Sequence, residues 1–226
     1  MNMATATADA GTVSPGFIED IDAALAAEVA PFRETAVVQA ITFASKIGDQ
    51  PPMRVLCGAT IAIGLISANS RVTQAGLRML VAHTLATGSK NFLKRRIDRT
   101  RPDARGDGDD HRVRSGKSDA HDETSFPSGH SAGAIAVGAA FAREFPKYRL
   151  GSLCAAGAVA LAQVPRGAHY LSDVVVGSAI GAISEAALDR TLALICRSKS
   201  HFSSDRRQAA SLRELKLVEK AARHVR

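Results

Sequence analysis

Residues 166–195 read RGAHYLSD (166–173) followed by VVVGSAIGAISEAALDRTLALI (174–195), a short polar turn that leads directly into a long apolar segment. The same order occurs upstream, where PSGH (127–130) precedes another apolar segment. Apolar residues make up 46% of the 226 residues and aromatic residues only 4%. Small apolar residues are frequent, and they let helices pack closely. The pattern predicts an all-α fold, a helical bundle with apolar segments at residues 55–70, 72–89, 131–142, 150–165 and 174–195.

The lengths of these segments leave two environments open. As a helix, residues 55–70 would extend about 24 Å, whereas the hydrocarbon core of a bilayer is about 30 Å thick. A soluble helical bundle is therefore one alternative. Charge placement favours a membrane, because alternating spans would put Arg71, residues 143–149 and the tail after Ile195 on one Lys/Arg-rich side, which should be cytoplasmic. We therefore expect about five transmembrane helices.

The segments outside these helices differ in composition. Residues 1–16 are rich in Ala and Thr and lack the pattern of a secretory signal, so we expect a disordered leader. Residues 17–47 predict an amphipathic helix, broken near Pro31, that lies at the membrane interface. The bundle domain then covers residues 17–195, and its polar stretch 103–125 is expected to be a mobile loop.

The tail at residues 196–226 carries much of the net charge of +7, because it contains nine Lys or Arg and three Asp or Glu residues. A basic amphipathic tail beside apolar helices fits an anionic membrane surface. Phe202 is its one aromatic residue, so the interleaved aromatics typical of nucleic-acid binding are missing, and we expect no nucleic-acid partner.

The cysteines at positions 57, 154 and 196 are odd in number and widely spaced. We interpret them as small apolar residues rather than a disulfide or metal framework. The sequence predicts neither a bound metal nor a cofactor.

Three polar clusters stand at the ends of apolar segments. In residues 94–102, Lys94 and Arg101 could form an anion clamp before Pro102, although a membrane-flanking basic run is the alternative. In residues 127–130, Ser128 and Gly129 open a helix whose free N–H groups favour an oxyanion, and His130 lies beside them. An ordinary capped turn with a surface histidine is the alternative there.

The third cluster, residues 166–173, combines His169 with Asp173. A spacing of four places both on one face of a helix, where the carboxylate can hold the imidazole in one tautomer. A polar pair at a helix start is the alternative. Two histidines, each before an apolar helix on the same side of the membrane, favour a shared active site.

These clusters resemble the type 2 phosphatidic acid phosphatase superfamily, which includes lipid phosphate phosphatases, bacterial acid phosphatases and vanadium haloperoxidases. Its first motif, Lys-x6-Arg-Pro, matches residues 94–102. Its second, Pro-Ser-Gly-His, is present unchanged at 127–130. Its third, Ser-Arg-x5-His-x3-Asp, matches at His169 and Asp173. The resemblance covers residues 48–195 and implies a helical phosphatase.

The sequence departs from the third motif, because Ala162 and Gln163 stand where the family has Ser-Arg. A phosphate-binding arginine is therefore missing from its usual place. Arg166, which is three residues closer to His169, could supply the charge instead. Losing one charged donor without replacement would reduce the rate about 10²–10³-fold.

The resemblance implies a mechanism in which His169 attacks phosphorus, Asp173 orients His169, and His130 protonates the leaving oxygen and then activates water. The phosphoryl oxygens would be stabilised by Lys94, Arg101, Ser128 and Gly129, to which the residues alone add Arg166.

We therefore predict a multi-pass phosphatase of the cell inner membrane that acts on a phosphorylated lipid from the non-cytoplasmic side. The alternatives are a soluble acid phosphatase, a vanadium-dependent haloperoxidase, and a catalytically weakened membrane protein that binds phospholipid headgroups.

Overall fold

The structure is a computed structural model that describes residues 16–104, 114–116 and 120–224, with side chains to residue 198 except at position 121. Residues 1–15 of the predicted leader lie outside the described residues, as do 105–113 and 117–119 of the polar loop and the side chains of most of the tail. In the described parts the fold is all-α, as predicted. Its helices are α1 (Phe17–Val29), α2 (Ala36–Ser45), α3 (Gln50–Ile66), α4 (Ser70–Lys94), α5 (Gly129–Glu144), α6 (Arg149–Leu161) and α7 (Leu171–His224).

The chain divides into two compact units, residues 1–185 and 186–226. In the first unit α3 packs on α4, α4 on α5 and α5 on α6. The second unit is helical. The predicted division at residues 195 and 196 stays a prediction.

Helices α5 and α7 approach closely because glycines line the face of α7. A Cβ atom on Gly177 would lie 2.4 Å from the carbonyl oxygen of Ser128, and one on Gly181 would lie 2.4 Å from that of Ala132. Side chains at either position would therefore separate the two helices. This packing brings the start of α5 beside the start of α7, where two of the three polar clusters lie.

The polar stretch after α4 is held by backbone pairing in its described parts. Strand β1 (Ile97–Asp98) pairs antiparallel with β2 (Arg114–Ser115). Arg99 and Thr124 form a parallel bridge, and the N–H of Arg101 donates to the carbonyl of Asp122 at 2.8 Å. Sequence periodicity cannot reveal such short strands, because two residues show no alternation.

A buried ion triad connects three distant parts of the first unit. The Arg99 guanidinium lies 2.9 Å from Asp22 of α1 and 2.6 Å from Asp173 of α7, and all three side chains are at most 2% exposed. Asp22 also accepts a hydrogen bond from the backbone N–H of Ser172 at 3.0 Å. Helix α1 is therefore anchored to the start of α7, although its sequence predicted only an interfacial helix.

Within the described ranges, one helical stretch, Leu171–Ser198, is long and apolar enough to cross a membrane. Ala36–Gly48 and Gln50–Ile66 are apolar but shorter. The five spans predicted from charge placement therefore stay a prediction.

Removing the Asp22 carboxylate should destabilise the bundle, because Arg99 would lose one of two buried anionic partners. We expect Asp22→Ala to lower the free energy of unfolding by about 3 kcal/mol, as when one member of a buried ion pair is removed. Thermal unfolding of the detergent-purified protein measures the effect. Asp20→Ala, at an exposed position of the same helix, is the control, and equal stability of the two variants would contradict the anchoring role.

Candidate active site

A cavity of about 210 Å³ brings together parts of all three polar clusters. It lies among the end of α4, the start of α3, the start of α5 and the turn before α7. Six residues predicted from the sequence line it, and they are Lys94, Arg101, Gly129, His130, Arg166 and His169. Five further residues complete the lining, and they are Gly48, Asp49, Gln50, Lys90 and Ala168.

The two histidines face each other within this cavity. The ring centroids of His130 and His169 are 6.5 Å apart, and the ring planes are inclined by 62°. One imidazole comes from the first turn of α5 and the other from the turn before α7. Their separation allows both rings to contact a single phosphoryl group.

His169 is held by a backbone carbonyl rather than directly by a carboxylate. Its Nδ1 lies 2.7 Å from the carbonyl oxygen of Ser125 and 3.8 Å from Asp173 Oδ2. A spacing of four predicts that His169 and Asp173 share a helix, but α7 begins only at Leu171, so His169 lies in the turn before it. A proton on Nδ1, donated to Ser125, leaves the Nε2 lone pair available for attack. Burial lowers the pKa of His169, which favours the neutral, nucleophilic ring.

Asp173 acts on this arrangement through its neighbours. It accepts hydrogen bonds from the Ser125 hydroxyl at 2.5 Å and from the Tyr170 N–H at 2.9 Å. Ser125 therefore donates to Asp173 through its hydroxyl and accepts from His169 through its carbonyl. Asp173 therefore holds Ser125 in place, and the Ser125 carbonyl in turn holds the His169 imidazole.

His130 contacts a carboxylate that the sequence analysis did not single out. Its Nε2 lies 2.7 Å from Asp49 Oδ1. The pKa of His130 is lowered to about 4, first by burial and then by His169 and Arg166, whereas Asp49 raises it. The surroundings of His130 therefore disfavour its protonation overall, whereas Asp49 favours it.

Among the residues that the structure describes, four cationic side chains line the cavity, one more than predicted. The addition is Lys90, which lies one helical turn before Lys94 and is 8% exposed. Burial, followed by Lys90 and Arg101, lowers the pKa of Lys94 to about 8. Nη1 of Arg166 is buried and has no hydrogen-bond partner among the described residues. The spacing of four to Lys94 was the signal in the sequence that could have identified Lys90.

Ser128 and Gln163 do not line the cavity. The Ser128 hydroxyl caps α5, accepting from the Ser131 N–H at 3.3 Å and the Ser131 hydroxyl at 2.8 Å. Gln163 is fully buried, and its backbone carbonyl accepts a hydrogen bond from the backbone N–H of His169 at 3.3 Å. The backbone at position 163 therefore supports the turn that carries His169. Phosphate binding by the Ser128 side chain would require it to leave its capping position.

Among the described residues, no group of three or more His, Cys, Asp or Glu side chains is placed to hold a metal ion. Metal-independent chemistry stays a prediction.

The chain is similar to proteins that are already known. Lipid A 1-phosphatases of Rhizobium etli (strain ATCC 51251 / DSM 11541 / JCM 21823 / NBRC 15573 / CFN 42) and Rhizobium johnstonii (strain DSM 114642 / LMG 32736 / 3841) are each 44% identical to the chain, over 91 and 92 residues. The matches cover 40% and 41% of this chain, but only 39% and 37% of the relatives. The chain therefore matches about two fifths of their length.

Two crystal structures share the fold. The first transmembrane PAP2 type phosphatidylglycerolphosphate phosphatase from Bacillus subtilis has a TM-score of 0.54 and 21% identity, and the similarity covers 78% of this chain and 88% of that one. Aquifex aeolicus LpxE has a TM-score of 0.50 and 18% identity, covering 73% of this chain and 92% of that one.

The family model of the PAP2 superfamily matches residues 75–192, more than half of the chain. This match includes all three polar clusters, which the fold brings to one cavity. The chain belongs to the PAP2 superfamily.

Proposed function

We propose that this protein is a membrane phosphatase that hydrolyses a phosphoester or diphosphate of a lipid through a phosphohistidine intermediate. The observation that carries the proposal is the pair of imidazoles at positions 130 and 169, 6.5 Å apart in a cavity lined by four cationic side chains. The lipid A 1-phosphatases that resemble this chain support a lipid phosphate as substrate.

In the first step, Nε2 of His169 attacks phosphorus. A P–N bond forms while the bond from phosphorus to the leaving oxygen breaks, and His130 donates a proton to that oxygen. The hydrogen bond from His169 Nδ1 to the Ser125 carbonyl supports the role of His169 as nucleophile, because it keeps the ring proton on Nδ1 and leaves Nε2 unprotonated. In the second step His130 removes a proton from water, the water oxygen attacks phosphorus, and the P–N bond breaks to release phosphate.

The four cations compensate the charge of the phosphoryl oxygens. Lys94 and Arg101 supply the charges of the first family motif, and Lys90 and Arg166 supply two more. We infer that Lys90 and Arg166 replace the arginine that Gln163 displaces. The unpartnered Nη1 of Arg166 supports this, because a buried guanidinium nitrogen without a partner is costly unless a ligand satisfies it.

Two apolar features favour a lipid substrate over a soluble one. A second cavity of about 670 Å³ lies among α3, α5 and α6, and its lining is mainly apolar. It adjoins the phosphate-binding cavity, because Ile47 lines the apolar cavity and Gly48 lines the other. An alkyl chain could lie there while the phosphate contacts His169.

Exposed apolar side chains support placement in a bilayer. A soluble protein rarely exposes many large apolar groups on its helices. Here they occur on α3, α4, α6 and α7, and examples are Val55, Ile63, Ile66, Leu77, Leu150, Leu161, Val175 and Ile183. We propose a multi-pass protein of the inner membrane with its active site on the non-cytoplasmic side, as the predicted distribution of Lys and Arg indicates.

Loss of the nucleophile should abolish turnover without unfolding the protein. We expect His169→Ala to release no phosphate above background from a panel of phosphorylated lipids and water-soluble phosphoesters, while its melting temperature stays near that of the wild type. Vanadate should compete with substrate in the wild type. Full turnover by the variant would show that His169 is not the nucleophile.

The additional cations should matter for the rate. We expect Arg166→Ala and Lys90→Met each to reduce kcat/KM at least about tenfold, because each removes a charged group that stabilises the transition state. Lys46→Met, which removes an exposed lysine that lines neither cavity, is the matched control. If either variant kept the wild-type rate, that residue would not be a substitute for the missing arginine.

The proposed topology can be tested by thiol labelling. In a background with Cys57, Cys154 and Cys196 replaced by Ser, we expect Asp103→Cys, but not Lys147→Cys, to react with an impermeant reagent added from the non-cytoplasmic side. Both positions are exposed in the structure. Labelling at 147 with protection at 103 would reverse the orientation.

A further inference from the structure

The proposed mechanism requires a proton on His130 when the leaving oxygen departs, yet its surroundings disfavour that proton. The ring is mostly buried, with 17% of its side chain exposed. His169 and Arg166 face it from the turn before α7, and both lower the pKa of His130. The remaining cations of the cavity, Lys90, Lys94 and Arg101, add positive charge from α4 and the segment after it.

One acidic side chain opposes these influences. Asp49 precedes α3 and lines the same cavity, and its Oδ1 lies 2.7 Å from Nε2 of His130. Its carboxylate attracts the proton of the imidazolium, so it raises the pKa of His130.

The local sequence explains why this carboxylate is available. Asp49 is the N-cap residue of α3, a position where an aspartate normally accepts a hydrogen bond from the second or third N–H of the helix. In this helix those two residues are Pro51 and Pro52, which have no N–H. Accordingly, the Asp49 side chain makes no capping hydrogen bond. The sequence Asp-Gln-Pro-Pro therefore starts α3 without using the Asp49 carboxylate as a cap, which leaves that carboxylate available to contact His130.

We propose that Asp49 is a positioning residue for His130, which holds the imidazole in the cavity and favours its protonated form for transfer to the leaving oxygen. This inference rests on the proposed phosphatase function. In the first step the proton passes from His130 to the leaving oxygen, and in the second step His130 recovers a proton from water. Asp49 stays ionised throughout and acts through His130.

The test compares two substrates that differ in their need for a proton. Hexyl phosphate releases an alkoxide that must be protonated, whereas p-nitrophenyl phosphate releases a nitrophenolate that can leave without a proton. We expect Asp49→Asn to lower kcat/KM for hexyl phosphate about tenfold or more, because protonation of the leaving group is impaired. The value for p-nitrophenyl phosphate should change much less. The Asp49 side chain makes no capping hydrogen bond, so the change to asparagine should preserve the start of α3.

The pH profile provides the second readout. kcat/KM for hexyl phosphate should fall as pH rises through the pKa of His130, because only the protonated ring donates. Asp49 raises this pKa, so Asp49→Asn should move the fall in rate to lower pH. Asp49→Glu, which keeps the charge, should restore most of the rate and return the profile towards that of the wild type.

The outcomes separate this inference from the proposed function. Suppose that the wild type hydrolyses both substrates. If Asp49→Asn then lowers kcat/KM equally for both, or for neither, the positioning role of Asp49 is wrong while the phosphatase function stands. An unshifted pH profile would also overturn it. If the wild type hydrolyses neither these substrates nor any phosphorylated lipid, the proposed function itself fails.

Discussion

The buried guanidinium of Arg99 is the constraint on which the active-site geometry depends. It binds Asp22, 77 residues away in the sequence, and Asp173, 74 residues away. A buried charge is stable only when it is paired and hydrogen-bonded, so all three side chains must be in place together. Asp173 then accepts from Ser125, and Ser125 accepts from His169. The position of the His169 ring is thus linked to the docking of α1 by a continuous series of polar contacts.

The second constraint is electrostatic. Four cations surround a small cavity, and burial lowers the pKa of Lys94 to about 8 and also lowers that of Arg101. Such a cavity favours a dianionic phosphoryl group, because the negative charge of the ligand balances the positive charge of the cations. The same field disfavours an imidazolium at position 130. The Asp49 carboxylate beside His130 offsets this effect at the imidazole.

Much of the fold and the central part of the site could be predicted from the sequence. The five apolar segments correspond to α3–α7, and the motifs at residues 94–102, 127–130 and 166–173 converge as expected. These features are local, because hydrophobic periodicity and motif spacing depend on neighbouring residues. The departure from the third motif at Gln163 stays a prediction, and the backbone contact by which position 163 supports the His169 turn could be found only from the coordinates.

The features that sequence reasoning missed depend on contacts between distant residues. Arg99 reads as one of several basic residues in a flanking run, and only burial between two carboxylates distinguishes it. Asp49 reads as part of a loop between helices, and its relation to His130 arises because the start of α3 meets the start of α5. The Ser128 hydroxyl was assigned to phosphate, whereas in the structure it caps α5. A motif identifies which residues meet, but it does not specify which of their atoms face the ligand.

The central claim is that two imidazoles flank a single phosphorus atom, and a structure of the protein with bound vanadate tests it most directly. We expect a vanadium atom bonded to Nε2 of His169, with the apical oxygen on the opposite side within hydrogen-bonding distance of His130. Vanadate held by the lysines and arginines alone, with His169 out of contact, would contradict it.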